Sequence, residues 1–345
     1  MADQAGQSLL DPGRPALAAE YDVALLDLDG VVYTGQAAVP GAVTALAAAR
    51  KAGLRLAFVT NNASRSPSAI AEHLTRLGVP AGSADVVTSA HAAATLIASR
   101  FPAGSPVLVC GAIGLRLALR ERGLRPVSLA AERPVAVVQG YAPDMSYGLL
   151  AEAAVAVRDG ALFVASNADA TLPSPRGPQP GNGSMLAVIA TATGVRPIVA
   201  GKPEPPLHAE AVSRTGARRP LVVGDRLDTD IEGAVRGGAD SLLVLTGVTS
   251  ASDVVLARAG QRPSYVAADL GGLLELRPVV DDSLPGLFRC GGWTARRAAE
   301  AGPIELSGAG AWIDGLRALC AAAWSAGQVT GAMVERALRA LGPAG

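Results

Sequence analysis

The stretch Tyr21-Asp-Val-Ala-Leu-Leu-Asp-Leu-Asp-Gly-Val-Val-Tyr33 decides the fold. Its apolar run, residues 23–26, has the length of one buried parallel strand, and Asp27, Asp29 and Gly30 follow it. Two carboxylates two residues apart point the same way from an extended backbone, and packing them together is costly without a cation between them. The stretch therefore predicts a divalent-metal site with a carboxylate nucleophile. The alternative is an ordinary Asp-Gly turn after a strand.

Length and composition narrow the class of protein. The chain has 345 residues, 50% of them apolar, which allows two domains and a small appendage. The formal net charge is +0 and no basic stripe is present, so we expect no nucleic-acid partner. The 3 cysteines are widely spaced and form no disulfide framework, which favours the cytoplasm. No apolar run reaches the roughly eighteen residues of a membrane span.

Strands and helices alternate along the first eighty or so residues, with polar residues at both strand ends. This order predicts an α/β fold with a doubly wound, Rossmann-like parallel sheet. We predict a discontinuous catalytic core at residues 20–87 and 198–275, with an inserted α/β unit at 88–197. Residues 1–19 are predicted to be a flexible arm.

The inserted unit contains a long irregular loop, residues 166–183, and such loops are commonly functional. Residues 110–114, Cys-Gly-Ala-Ile-Gly, lack the further glycine of a dinucleotide-binding turn. Residues 276–345 are predicted to be a linker and a small, α-rich C-terminal extension, because 311–326 and 329–341 have helical apolar spacing.

Four predicted strand ends carry polar groups that a doubly wound sheet brings to one crevice. Converging carboxylates favour Mg²⁺, and a hydroxyl, backbone amides and an ammonium beside it form a phosphate cradle. Lys202 is conspicuous because the chain has only one other lysine, Lys51, and uses arginine for its other cations. The alternative is an ordinary surface lysine. The groups at these strand ends are Asp27 and Asp29, Thr60 and Asn61, Lys202, and Asp225 and Asp230.

Four motifs together resemble those of the haloacid dehalogenase (HAD) superfamily. The insertion between the second and third motifs is similar to the class II cap of the 4-nitrophenylphosphatase and phosphoglycolate phosphatase group. The C-terminal extension and the Ala/Arg-rich composition are similar to actinobacterial glycerol-3-phosphate phosphatases. The motifs are Asp27-Leu-Asp-Gly-Val31, Thr60-Asn-Asn62, Gly201-Lys-Pro203 and Gly224-Asp-Arg-Leu-Asp-Thr-Asp230.

The resemblance implies a role for each motif residue. Asp27 would attack phosphorus and form an aspartyl-phosphate, while Asp29 would be the general acid and base. Mg²⁺ would be held by Asp27, the Asp29 backbone carbonyl and Asp225, with Asp230 in the outer shell or anchoring the lysine.

The phosphoryl group and the leaving group would be held by separate sets of residues. Thr60, the Asn61 amide and Lys202 would bind and balance the phosphoryl oxygens. For the leaving group we predict contacts from Asn62, Leu172 and Arg176, although a loop arginine commonly faces solvent. Asn167 and Asn182 could be turn residues rather than ligands.

The resemblance implies hydrolysis of a phosphate ester, with glycerol 3-phosphate as the first candidate. The cap loop lacks an aromatic residue to stack on a flat ring, which favours a small aliphatic ester. The alternatives are phosphoglycolate, nucleotide monophosphates or pyridoxal phosphate, or a non-catalytic phosphate-binding protein. The cap and the extension are the candidate surfaces for forming a homo-oligomer. We expect no acetyl transfer by the extension, which is short and lacks a glycine-rich pyrophosphate loop.

Overall fold

A computed structural model of the chain describes residues 15–172, 174, 176–276, 279–297, 302–325 and 329–342. Most of the predicted N-terminal arm lies outside these residues. The described strands are β1 (Val23–Leu26), β2 (Tyr33–Thr34), β3 (Ala37–Ala38), β4 (Arg55–Thr60), β5 (Val86–Thr88), β6 (Pro106–Cys110), β7 (Arg125–Val127), β8 (Ala136–Gln139), β9 (Leu162–Ala165), β10 (Thr171–Leu172), β11 (Gln179–Pro180), β12 (Ile198–Val199), β13 (Pro220–Gly224), β14 (Asp240–Val244), β15 (Tyr265–Ala267), β16 (Leu287–Cys290), β17 (Trp293–Arg297) and β18 (Ile304–Gly308). The described α-helices are α1 (Leu17–Glu20), α2 (Ala42–Lys51), α3 (Pro67–Arg76), α4 (Ser89–Ala98), α5 (Ile113–Glu121), α6 (Tyr147–Arg158), α7 (Asn182–Thr193), α8 (Pro205–Thr215), α9 (Glu232–Gly237), α10 (Ala251–Val255), α11 (Trp312–Trp324) and α12 (Gly331–Leu341).

The larger sheet has six parallel strands in the order β15-β14-β13-β1-β4-β5. Alternate residues of β1 pack on opposite faces, because side chains alternate along a strand. Ala24 and Leu26 belong to a cluster with α2 and α3, whereas Val23 and Leu25 pack with α4, α8 and α9. Both faces of the sheet are therefore buried, which is the doubly wound arrangement predicted from the sequence.

A second sheet of five parallel strands has the order β12-β9-β8-β6-β7. Its residues Val109 and Val138 lie in the same apolar cluster as Val23 and Leu25 of the larger sheet. The insertion is an α/β unit, as predicted, and the predicted α/β fold class is confirmed. The predicted loop at 166–183 also holds the antiparallel hairpin β10–β11, and its last two residues already belong to α7.

Two predictions need correction. Part of the predicted flexible arm is the helical turn α1, which is held in place because Leu17 and Ala18 are buried in the core. The C-terminal extension is not only α-rich: β16, β17 and β18 form an antiparallel sheet against α11 and α12. The sheet forms because Phe288, Cys290 and Ala295 alternate with more exposed residues and share one buried face.

The extension packs against the end of the six-stranded sheet. The Trp324 indole Nε1 donates a hydrogen bond to the Val254 carbonyl at 3.2 Å, and Arg262 donates to the Trp324 carbonyl at 3.0 Å. Arg317 also donates to the carbonyl of Val266 in the edge strand at 3.0 Å. In the described part of the chain, no helix is long and apolar enough to cross a membrane.

Candidate active site

Three carboxylates meet at the carboxyl edge of the six-stranded sheet. Asp27 follows β1, whereas Asp225 and Asp230 follow β13, and these two strands are hydrogen-bonded neighbours. One oxygen from each carboxylate lies within 4.8 Å of the others. The parallel pairing thus brings together residues about two hundred positions apart in the sequence.

Lys202 lies inside this cluster, and its side chain is 3% exposed. Its ammonium donates to Asp27 Oδ1 at 2.6 Å, and it lies 2.8 Å from Asp230 Oδ1. A second hydrogen bond, of 2.8 Å, goes to the carbonyl of Val59 in β4. The interpretation of Lys202 as a surface lysine is therefore wrong.

The electrostatics of the cluster show an excess of negative charge. Burial raises the pKa of Asp27; the Lys202 ammonium lowers it in part, and the charges of Asp230 and Asp225 raise it further. Burial, followed by the charge of Asp230, raises the pKa of Asp225 to about 6. Burial lowers the pKa of Lys202, but Asp230 and Asp27 outweigh it and hold the pKa above its ordinary value. One ammonium does not balance three carboxylates here.

The surroundings of Asp225 fit a small cation with oxygen ligands. Its Oδ2 accepts a 2.7 Å hydrogen bond from the Val248 amide, whereas its buried Oδ1 has no hydrogen-bond partner among the described residues. Gly30 and Gly247 bring their backbones against this carboxylate, and a Cβ added to them would lie 2.5 Å and 1.9 Å from Asp225 Oδ2. An unpartnered buried oxygen beside two other carboxylates is the donor set that a hard divalent ion needs.

Asp29 does not join the cluster, which corrects the expectation that it packs beside Asp27. The extended backbone ends at Leu26, and Asp29 instead forms a bridge with Tyr33, the first residue of the β2–β3 hairpin. Its side chain is open to solvent on one side. The protein around its other sides raises the pKa of Asp29, and the Arg65 guanidinium lowers it in part. The third carboxylate of the cluster is therefore Asp230.

Thr60 is the last residue of β4, the neighbour of β1, and Asn61 follows it. Thr60 is buried, and its hydroxyl accepts a hydrogen bond from the Asn62 amide at 3.1 Å. The Asn61 carboxamide contacts both the backbone of Lys202 and Asp169, a loop residue that sequence reasoning assigned no role. The sequence held one signal for Asp169: the cap stretch Ser166-Asn-Ala-Asp resembles the same phosphatase group.

The predicted leaving-group contacts are not brought to the carboxylates by any described hydrogen bond or ion pair. Asn62 uses its Oδ1 to accept from the Ser64 amide and hydroxyl, both at 2.8 Å. Leu172 is half-buried in β10, and Arg176 is exposed beyond it. Of the two asparagines with a turn alternative, Asn167 lies in the loop and Asn182 is the first residue of α7; Asn182 Nδ2 donates to the Asn167 carbonyl at 2.7 Å.

The chain was compared with known families and proteins. Residues 24–125 match a family model described as haloacid dehalogenase-like hydrolase, and residues 199–273 match a HAD-hydrolase-like model. A D-glycerol 3-phosphate phosphatase of Mycobacterium tuberculosis is 52% identical over 258 residues, which is 75% of this chain and 72% of that protein. The chain belongs to the haloacid dehalogenase-like hydrolase family.

Solved structures of HAD phosphatases share this fold. A crystal structure of glycerol phosphate phosphatase from Mycobacterium tuberculosis in complex with magnesium has a TM-score of 0.85 and 43% identity, covering 95% of this chain and 99% of that one. A 4-nitrophenylphosphatase from Thermotoga maritima has a TM-score of 0.69 and 30% identity, covering 75% and 98%. The predictions of the family and of a phosphatase enzyme are confirmed. Residues 290–342 match a GCN5-related N-acetyltransferase-like model, which concerns the extension alone.

Proposed function

We propose that this HAD phosphatase hydrolyses glycerol 3-phosphate with Mg²⁺ as its metal ion and Asp27 as its nucleophile. The observation that carries the proposal is the cluster of Asp27, Asp225 and Asp230 around the Lys202 ammonium. The choice of ester is supported by the 52% identical Mycobacterium tuberculosis relative, which is named a D-glycerol 3-phosphate phosphatase. The choice of metal is supported by the magnesium complex of a similar protein.

The metal would be held by carboxylate oxygens of Asp27 and Asp225 and by the backbone carbonyl of Asp29, with Asp230 beside them. When bound, Mg²⁺ neutralises charge on the phosphoryl oxygens and keeps the carboxylates ionised. The unpartnered Asp225 Oδ1 is available to such an ion.

In the first step a carboxylate oxygen of Asp27 forms a bond to phosphorus while the bond from phosphorus to the ester oxygen breaks. Asp29 gives its proton to the departing alkoxide, so that glycerol leaves as the neutral alcohol. In the second step Asp29 takes a proton from water, whose oxygen attacks phosphorus and frees Asp27 and inorganic phosphate. Thr60, the Asn61 amide and Lys202 hold the phosphoryl oxygens, which suits a reaction that depends on positioning and charge neutralisation.

We also propose the domain boundaries, the leaving-group contacts, the location and the self-association of the protein. Core, cap and extension are proposed at the boundaries given above, and Asn62, Leu172 and Arg176 are proposed leaving-group contacts. A cytoplasmic location and self-association through the cap or the extension are also proposed. Light scattering of the full chain tests the last point, since a monomer at all concentrations would contradict it.

The proposed function is tested by phosphate release from a panel of esters, with Mg²⁺ and with a chelator. The panel is glycerol 3-phosphate, phosphoglycolate, a nucleotide monophosphate, pyridoxal phosphate and 4-nitrophenyl phosphate. We expect metal-dependent release, fastest from glycerol 3-phosphate, and none from Asp27→Asn. Asp228→Asn is the matched control, because that exposed carboxylate pairs with Arg226 outside the cluster. Activity in Asp27→Asn would refute the mechanism, and another preferred ester would refute the substrate.

A further inference from the structure

The Asn61 carboxamide holds the backbone of Lys202 at two points. Its Oδ1 accepts a hydrogen bond from the Lys202 amide at 2.8 Å, and its Nδ2 donates to the Lys202 carbonyl at 3.2 Å. Gly201 makes this close approach possible, since a Cβ there would lie 2.6 Å from Asn61 Oδ1 and 2.4 Å from the Ser166 carbonyl. The residue that carries the ammonium is thus fixed through its main chain by the asparagine that directly follows β4.

Asp169, from the loop after β9 of the second sheet, fixes the orientation of that carboxamide. Asn61 Nδ2 also donates to Asp169 Oδ2 at 3.1 Å. A carboxylate only accepts hydrogen bonds, so it favours the rotamer that turns the NH₂ group toward it and the Oδ1 toward the Lys202 amide. With the carboxamide reversed, Oδ1 would face the Asp169 carboxylate and the Lys202 amide would lose its acceptor.

Further hydrogen bonds join the segment after β4, which holds Asn61, to the loop after β9, which holds Asp169. The Asn61 carbonyl accepts from the Asn167 carboxamide at 2.8 Å and from the Ser89 hydroxyl at 2.6 Å. The Asn167 Oδ1 in turn accepts from the Asp169 amide at 3.2 Å. Asp169 is therefore held in place by its own loop, and that loop is held by the backbone of Asn61.

We propose that Asp169 is a positioning residue of the phosphatase, acting through the Asn61 carboxamide to hold Lys202 against Asp27 and Asp230. This inference rests on the proposed function, because Lys202 is there the charge partner of the nucleophile. Asp169 contacts neither substrate nor metal in this role. The packing of the inserted unit against the core thereby governs the position of the Lys202 ammonium.

Kinetics distinguish this role from substrate binding. Lys202 acts on the phosphoryl group, which all the ester substrates share. Asp169→Ala should therefore lower kcat by about tenfold to a hundredfold for each hydrolysed ester, with KM little changed. Asp169→Asn, which keeps an acceptor oxygen, should recover most of the activity. Asp159→Ala is the matched control, because this exposed aspartate lies before β9, at the other end of the strand from Asp169. A loss that differs between leaving groups would overturn the proposal, since it would show that Asp169 contacts the substrate.

A double-mutant cycle tests the route through Asn61. Asn61→Ala combined with Asp169→Ala should be no slower than Asn61→Ala alone, because the carboxamide carries the effect. Losses that multiply would show that Asp169 acts by another path and would overturn the proposal.

Hydrogen exchange gives a readout that needs neither turnover nor the Asn61 variants. The Lys202 amide donates to Asn61 Oδ1, so exchange in a peptide covering 200–204 should become faster in Asp169→Ala and stay unchanged in Asp159→Ala. Unchanged exchange in a folded Asp169→Ala protein would refute the inference. Failure of the proposed function would be separate, since it would appear as activity of Asp27→Asn.

Discussion

Gly247→Ala is predicted to damage the metal site through a single methyl group. The Cβ of alanine would lie 1.9 Å from Asp225 Oδ2 and 2.5 Å from its Cγ, whereas ordinary contacts begin at 3.4 Å. The Gly247 φ angle is outside the left-handed region, so the collision alone is responsible. The Asp225 carboxylate must therefore retreat by about 1.5 Å, which breaks its 2.7 Å hydrogen bond from the Val248 amide.

The expected magnitude follows from that lost contact. A hydrogen bond to a charged group contributes about 1.5–3 kcal/mol, which corresponds to roughly tenfold to hundredfold weaker Mg²⁺ binding if Asp225 cannot return. Isothermal titration of the metal-free protein with Mg²⁺ measures this, with thermal unfolding at fixed Mg²⁺ as a second readout. Gly237→Ala is the control, because it ends α9 with nothing within 4 Å of the added Cβ. Wild-type Mg²⁺ affinity in Gly247→Ala would refute the assignment of Asp225 as a ligand.

Two further predictions concern buried charge. Lys202→Met leaves Asp27 and Asp230 without their shared cation, so the metal-free protein should lose about 3–5 kcal/mol of unfolding free energy. Mg²⁺ should restore part of this loss. An unchanged urea midpoint would contradict the prediction. Burial lowers the pKa of His91 to about 4 in the folded protein. As the pH drops from about 6.5 to 4, the unfolded chain therefore takes up a proton at this histidine while the folded protein does not, and the free energy of unfolding falls. His91→Gln keeps a side chain that can accept a hydrogen bond from the Thr88 amide. In urea titrations at several pH values it should remove roughly 3 kcal/mol of the pH dependence of the unfolding free energy. The same dependence on pH in both proteins would argue against this assignment.

The metal cluster could be predicted from sequence because each of its acidic residues follows a short apolar run that indicates a buried strand. A short apolar run followed by Asp27, and another followed by Asp225 and Asp230, indicate two buried strands with acids at their carboxyl ends. Adjacent strands then bring the acids together without further information. The side-by-side placement of Asp29 failed for a local reason, since the extended backbone assumed for it ends at Leu26.

The extension shows a signal that was present in the sequence but not used. Residues 290–293 are Cys-Gly-Gly-Trp, and Cys290 pairs with Trp293 across a two-residue turn in which Gly291 has a φ of 53°. Gly-Gly between two short runs of alternating apolar residues is a hairpin signal. The helical apolar spacing of 311–326 and 329–341 favoured an α-rich prediction instead.

The Asp169 contact could not be predicted, because it depends on side-chain distances between two separate sheets. A motif shows that an asparagine and an aspartate occur in a loop, but not which partner either one meets. The contact needs the second sheet placed on the first and a glycine at 201 to admit the carboxamide. Such information lies in packing across the fold, and neither periodicity nor spacing contains it.

The geometry also explains why a lysine occupies position 202 in a chain that otherwise relies on arginine. An ammonium is compact and has three N–H donors; that of Lys202 donates to Asp27 Oδ1 at 2.6 Å and to the Val59 carbonyl at 2.8 Å, and it forms an ion pair with Asp230 Oδ1 at 2.8 Å. A guanidinium would bring five donors in a planar fork into the same buried space and leave some unsatisfied. The charge count concerns the metal instead. One ammonium among three carboxylates leaves a formal excess of two negative charges, the amount that one divalent ion neutralises. A phosphoryl dianion then approaches a site that is electrically balanced, so the metal is needed to admit the substrate as well as to activate it.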